Sequence, residues 1–450
     1  MASWKLIVED YGKIKSAEIE VAPLTMFVGD NNSGKSYLLA LLWGIEKFGV
    51  EALIGDEYVD TEEVKPLVDW LCEQIDVTVK KQKHEVSLGQ MSNTLEVFLN
   101  AQLRKNKNNL VTKIFNSKSA EIGNLKIELG DLNDKIFSFE LGYAQEFFQM
   151  IDDNRKGFGF NGNLVVDKSY KEQKFLIWFL IQGIYSSILN ISTEESGTDE
   201  SIYLPAARTG FMLTKDIINK VGRKNTFNLT EEKEAITPFI RPINQFLDII
   251  GDLSVETFGN EKNLKLASDL ENEMANGTIE FSALPNREVQ YIPMGYKKSI
   301  PLRLSSAVVT ELSPLILILK HKRHVERFYY EEPEMCLHPQ LQNIMGKIIG
   351  RMINSGIQMV ITTHSDIMLQ HINNMIKLSK RDDCEEICKK LGYGEIDLLS
   401  NNQVKVYQLR TSKRGKTEVV QLKCGENGFA VPTFNDALDK IMNEAYEIQG

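Results

Sequence analysis

The chain has 450 residues, 42% hydrophobic and 25% charged, the proportions of an ordinary globular protein with material for more than one core. A net charge of −10 rules out a global basic field for nucleic acid, so any contact with DNA or RNA needs a local patch. Five scattered cysteines read as the reduced thiols of a cytoplasmic protein, and Cys384 and Cys388, one helical turn apart, do not have a zinc spacing.

Taken in order, residues 1–12 lack the charged-then-apolar pattern of a secretion signal. Strands are expected at Lys5–Glu9, Ile19–Val21 and Leu24–Val28, punctuated by Gly12 and Pro23. The helix that follows carries Leu38, Leu39, Leu42 and Ile45 on one face, with Gly49 as its stop. Residues 61–284 read as a largely helical insertion, with helical spacing over 62–80, 93–116, 171–190, 233–250 and 262–275 and strands within 124–142. No heptad register persists there, which argues against a coiled-coil arm. The apolar run Phe175–Leu189 falls short of the ~20 residues a membrane span needs. It also contains Gln182, Gly183, Ser186 and Ser187, so a buried helix is expected and a membrane partner is not. Lysine clusters at 80–83 and basic residues at 104–107 read as solvated surface.

Beyond residue 285 the alternation becomes regular. Strands are expected at Val289–Ile292 and Ile300–Leu304, then a helix capped by Ser305 or Ser306. The apolar strand Arg327–Tyr330 runs into Glu331-Glu332-Pro333-Glu334. A helix then extends to Gly356, and the strand Ile357–Thr362 ends at Thr363-His364-Ser365-Asp366. Two strands (Val404–Leu409 and Thr417–Leu422) and a helix from about Asn435 close the chain. Strand, helix and strand in this order predict a parallel α/β sheet with its site at the C-terminal strand ends.

One stretch organises the rest. Gly29, Gly34, Lys35 and Ser36 fit G-x-x-x-x-G-K-[ST], with a strand before and a helix after. Glycines let the backbone approach a polyphosphate, and the amides of Asn31, Asn32 and Ser33 can point inward with those of the glycines. Lys35 would reach the β- and γ-phosphates of ATP, and the Ser36 hydroxyl would ligate Mg²⁺. A nucleoside triphosphatase also needs one carboxylate near the metal and another to polarise water, and Glu331-Glu332 offers both. His364, ending the next strand, could meet the γ-phosphate.

The set G-D-N-N-S-G-K-S (29–36), L-S-S-A-V (304–308), F-Y-Y-E-E-P-E-M-C-L-H-P (328–339) and I-T-T-H-S-D (361–366) resembles the ATP-binding-cassette ATPases, in their RecF/SMC-like branch. E-E-P-E-x-x-L-H-P, with Y-L-P-A-A-R-T-G at 203–210, is similar to overcoming-lysogeny-defect ATPases and to the ATPase subunits of two-component anti-phage systems such as PARIS and Septu. The resemblance implies an α/β P-loop head with a mixed sheet, made of residues 1–60 and 285–450, with 61–284 inserted. It assigns Glu332 as general base, Glu331 to the metal side, His364 as switch histidine, and Ser305 and Ser306 to a signature segment that closes over ATP held by another copy. Arg208 matches a motif arginine, and Gln145 is the candidate for the glutamine loop. Glu331 stands where the family has Asp, and Ala307 and Val308 where it has Gly and Gln. A homodimer or higher oligomer is implied, clamping ATP and Mg²⁺. The stretch after His364 is too short for a Toprim domain, so a Toprim or HNH nuclease is expected as a separate effector, released by a phage-encoded trigger. The alternatives are a RecF-like repair ATPase, which would bind DNA, and a binding module that uses ATP as assembly glue.

Overall fold

Three strands follow one another from the N-terminus, β1 (Trp4–Tyr11), β2 (Ile14–Glu20) and β3 (Leu24–Gly29). The computed structural model describes residues 4–55, 57–58, 60–118, 120–142, 146–153, 155–166, 168, 171, 173–191, 201–214, 239–282, 288–413, 415–426, 428–431 and 442–448. They fall into two units, one of residues 1–21 and 41–198, the other of 22–40 and 199–450.

In the first unit β1 pairs antiparallel with β2 on one side and with β5 (Ile122–Leu129) on the other. Helices Lys65–Lys81, Ser92–Phe115 and Lys174–Leu189 form where helical spacing is read, the last buried along most of its length. Strands accompany these helices within 61–284. β4 (Lys83–Ser87), β6 (Ile136–Leu141), β7 (Phe147–Asp152) and β8 (Gly157–Asn161) make an antiparallel sheet in that order. Its buried face is aromatic, with Phe137, Phe139 and Phe148 fully enclosed.

The second unit holds a six-stranded run in the order β16 (Thr417–Leu422), β15 (Val404–Thr411), β3, β14 (Gln358–Thr363), β13 (Arg327–Glu331) and β9 (Ser201–Leu204). All neighbours are parallel except β15 and β16. β3 is buried at every residue, as a central parallel strand covered on both faces must be, and so reads as an apolar run interrupted only by Thr25. Helices Ala307–His321, Pro339–Asn354 and Asp366–Leu378 contribute Leu312, Ile316, Ile348, Met352 and Ile372 to the core. A small sheet of β10 (Gly277–Phe281), β11 (Val289–Pro293) and β12 (Ile300–Pro301) packs on the same core.

Several expectations shift. The helix that begins at Lys35 continues to Ile54, and Gly49 kinks it at φ 71° rather than stopping it. The strand expected at 300–304 lasts two residues, because Pro301 leads into a 3₁₀ turn over Leu302–Leu304. The helix expected from residue 233 begins only at Arg241, after the extended Ile240 and with Pro242 in its first turn, and runs to Asp252, while 233–238 lie outside the described residues. The closing helix is described over 442–448, its earlier part lying outside the described residues. Among the described residues no helix is long and apolar enough to cross a membrane.

Candidate functional site

Register decides what meets at the sheet edge. Glu331 pairs with Thr362 between β13 and β14, and Thr363 pairs with Val28 between β14 and β3. The residues after these strand ends, Gly29–Ser36, Glu332–Glu334 and His364, therefore share one edge.

The phosphate loop starts at Gly29, whose φ of 144° suits glycine. A Cβ there would stand 2.5 Å from the Leu409 carbonyl oxygen of neighbouring β15, so strand packing as well as ligand approach demands this residue. Asn32 takes a left-handed turn at φ 59° and Gly34 follows at 103°. The Lys35 ammonium, 6% exposed, donates to the carbonyls of Gly29 at 3.0 Å and Asp30 at 2.7 Å. Burial lowers its pKa to about 8, against the opposing charges of Glu332, Asp30 and Glu334. Ser33 Oγ is fully buried with no hydrogen-bond partner, a polar atom that a phosphate oxygen would satisfy. Asn31 and Ser36 are exposed on the open side.

The three glutamates of E-E-P-E diverge. Glu332 sits at φ 43° and donates its N–H to the Thr362 carbonyl at 2.9 Å. One of its carboxylate oxygens lies 3.4 Å from His364 Nε2. That hydrogen bond lowers the Glu332 pKa, burial opposes it, and the charges of Lys35 and Arg208 add to the lowering. Glu331 turns the other way. Its carboxylate accepts from Tyr203 Oη at 2.6 Å and the Ala206 N–H at 2.9 Å. Glu334, which the sequence reading gave no role, accepts from the His364 N–H at 2.6 Å, and its other oxygen is buried without a partner. Burial raises its pKa against that hydrogen bond.

Ser306 caps the helix Ala307–His321, accepting the Val309 N–H at 3.4 Å, while Ser305 Oγ donates to the Leu302 carbonyl at 2.6 Å. Arg208 is wholly buried against Glu331, Glu332 and Glu311. Glu311 was also missed, although a lone carboxylate in the apolar run A-V-V-T-E-L-S-P-L-I-L-I-L signals a buried cation partner. Gln145 lies outside the described residues.

The site fits a triphosphate at Gly29–Ser36, with an ammonium, an unsatisfied hydroxyl and a helix start facing it. Among the described residues no three His, Cys, Asp or Glu side chains form a metal cage. The exposed Ser36 hydroxyl at the helix start is of the hard-oxygen type that Mg²⁺ takes beside phosphate oxygens and water.

The sequence model of the AAA ATPase domain matches residues 1–369. The chain belongs to the AAA ATPase domain family. None of the curated proteins matches this AAA ATPase. Solved structures similar to it include an SMC head bound to the C-winged helix domain of ScpA, at 11% identity and TM-score 0.38, covering 93% of this chain and 97% of that one. The SMC head domain from Thermotoga maritima gives 11% identity and TM-score 0.32, covering 94% and 100%. An SMC head with an extended coiled coil, bound to the C-terminal domain of ScpA derived from Pyrococcus furiosus, gives 12% and 0.37, covering all of both chains.

Proposed function

We propose that this AAA ATPase binds and hydrolyses ATP as an ABC-type head, with a second copy closing the site. One observation carries the reading: Glu332 lies 3.4 Å from His364 and within the field of Lys35, although the three come from separate strand ends. In this reading Lys35 exchanges the Gly29 and Asp30 carbonyls for phosphate oxygens. Glu332, whose carboxylate form His364 and Lys35 favour, accepts a hydrogen bond from the attacking water and orients it. His364 sits beside that carboxylate and presents its imidazole to the terminal phosphate. Mg²⁺, when bound, would offset phosphate charge with the Ser36 hydroxyl as a ligand, whereas the Glu331 carboxylate expected beside it is turned to Tyr203 and Ala206, so its part would run through the strand end it anchors and not through direct ligation. The head is drawn as residues 1–60 and 285–450, with β5 and β9 from the 61–284 insertion completing its sheets.

The finer reading is a sensor and scaffold in a bacterial anti-phage complex, holding a separate nuclease until a phage product triggers it. The likeness of residues 203–210 and 331–339 to those ATPases supports it. Lys35→Ala should abolish nucleotide binding, and Glu332→Gln should keep ATP bound while turnover drops by about 100-fold or more. Unchanged ATP affinity in the first variant, or continued hydrolysis in the second, removes those assignments. The defence role predicts a stable complex with the product of a neighbouring gene. ATP-dependent duplex binding that weakens steeply with salt would favour a RecF-like role instead.

A further inference from the structure

The guanidinium of Arg208, with none of its surface exposed, is committed inside the protein. Nη1 donates to the carbonyls of Pro205 at 2.8 Å and Glu331 at 2.6 Å. Nη2 donates to the Glu332 carbonyl at 3.1 Å and pairs with Glu311, and the group lies 4.6 Å from the centre of the Tyr330 ring. The same segment grips both acids from other directions. Thr209 donates its N–H (3.2 Å) and hydroxyl (2.6 Å) to the second oxygen of Glu311, and Tyr203 and Ala206 hold the Glu331 carboxylate.

Three elements meet here: the end of β13, the segment 203–209, and the helix that Ser306 starts. Glu332 bears a side chain at φ 43°, a backbone state that persists only where neighbours over-determine it. Its N–H is fixed by Thr362 and its carbonyl by Arg208. Those two bonds fix the peptide planes on either side of the Cα from which its carboxylate reaches His364. Glu311 lies on the second turn of the helix whose exposed start, Ser306-Ala307, is the signature segment.

We propose that Arg208 is a positioning residue for ATP turnover, and that through it Glu311 couples the placement of the signature helix to the conformation of Glu332. The inference rests on the ATPase reading above, with Glu332 orienting the water. A change at the helix start would then reach the acid through one buried ion pair.

The test uses the full chain and separates kcat from the nucleotide Kd, read with a fluorescent ATP analogue. Arg208→Lys keeps the charge but cannot span three carbonyls and a carboxylate. Glu311→Gln keeps an acceptor for Thr209 and removes the charge. Each should lower kcat by about 30-fold or more with Kd held within about threefold. The double variant should fall no further than the worse single one, because both act on one link. A merely structural pair would instead lower activity in proportion to folded protein, leaving kcat per folded molecule unchanged. That outcome, or turnover within about twofold of the unmodified chain, overturns the proposal. Should either variant fail to fold by circular dichroism, Thr209→Val decides: a kcat drop of about fivefold at unchanged melting temperature supports the link, and unchanged kcat ends it. An unmodified chain that binds ATP without turning it over removes the ATPase reading and this inference together. Normal turnover that is insensitive to Arg208 and Glu311 removes the inference alone.

Discussion

An ammonium as enclosed as that of Lys35 keeps its proton at neutral pH because two carbonyls and three carboxylates oppose the cost of burial. The balance still leaves its pKa at about 8, well below that of a solvated lysine. A bound polyphosphate raises that pKa again, since negative charge close to the ammonium favours its protonated form. Binding therefore takes up a proton above pH 8. The sign follows directly: nucleotide affinity is level below about pH 8 and falls by up to roughly tenfold per unit above it, until the pKa of the bound form is reached. Asp30, Glu332 and Glu334 are the charged groups that face Lys35, and each opposes the lowering of its pKa by burial. A Kd measured from about pH 6.5 to 9.5 checks the claim, and a flat profile would remove Lys35 from phosphate binding. Glycine at position 29 shows a second residue-scale effect. The motif demands glycine there for the ligand, and the Leu409 carbonyl demands it for the sheet, a reason visible only once β15 lies beside β3.

Strand β5 illustrates what element-level patterns conceal. Among the described strands it pairs only with β1, so its outer edge presents unpaired amides and carbonyls. The helix Ser92–Phe115 covers that edge with side chains. Asn100 donates to the Ile127 carbonyl and accepts its N–H, both at 2.9 Å, imitating a neighbouring strand, while Glu96 accepts the Leu129 N–H at 3.0 Å. Asn108 and Lys107 repeat the pattern at Ile122 and Gly123. Polar residues at this helical spacing read from sequence as a solvent face, so the contact was not legible there. Asn100→Ala leaves both Ile127 groups without partners and should lower unfolding free energy by about 2 kcal/mol, seen as an earlier urea midpoint. A change under about 0.5 kcal/mol would mean that water replaces the amide at no cost. Similar logic explains the strands passed over within 61–284. In β4 the sequence K-H-E-V-S has no apolar alternation, and β8 carries two glycines, so neither advertises a buried face. β4 pairs with β6, a neighbour distant in sequence, while β8 pairs with β7 across the short connection 153–156.

At the scale of the molecule, the parallel sheet was legible because each central strand is an apolar run ending in a chemically distinctive residue: glycine after β3, paired acids after β13, histidine after β14. Parallel register then places those ends together without further information. Side-chain direction was not legible. Glu331 and Glu332 are adjacent, yet one turns to Tyr203 and Ala206 and the other, at a positive φ just past the strand end, to His364, and the partners each meets come from segments distant in sequence. The role proposed for a second copy rests on the same layout. The segment proposed as the signature lies in the second unit with the phosphate loop, but Leu304 is 68% exposed and Ser306 and Ala307 are open to solvent. In the proposed dimer that surface meets ATP held by another chain, so association should depend on bound nucleotide. Glu332→Gln, which retains ATP in the proposed mechanism, should sediment at twice the monomer mass with ATP and at the monomer mass without it. Adding Ser306→Arg places a bulky cation at the helix start, where it also opposes the helix dipole. That variant should remain monomeric and still bind nucleotide with unchanged affinity through Lys35. If ATP leaves the mass of Glu332→Gln unaltered, or if Ser306→Arg dimerises as well as its parent, the helix start does not seal a partner's site. Ala307 and Val308, standing where the resembling family has Gly and Gln, would then mark a face that has lost that contact.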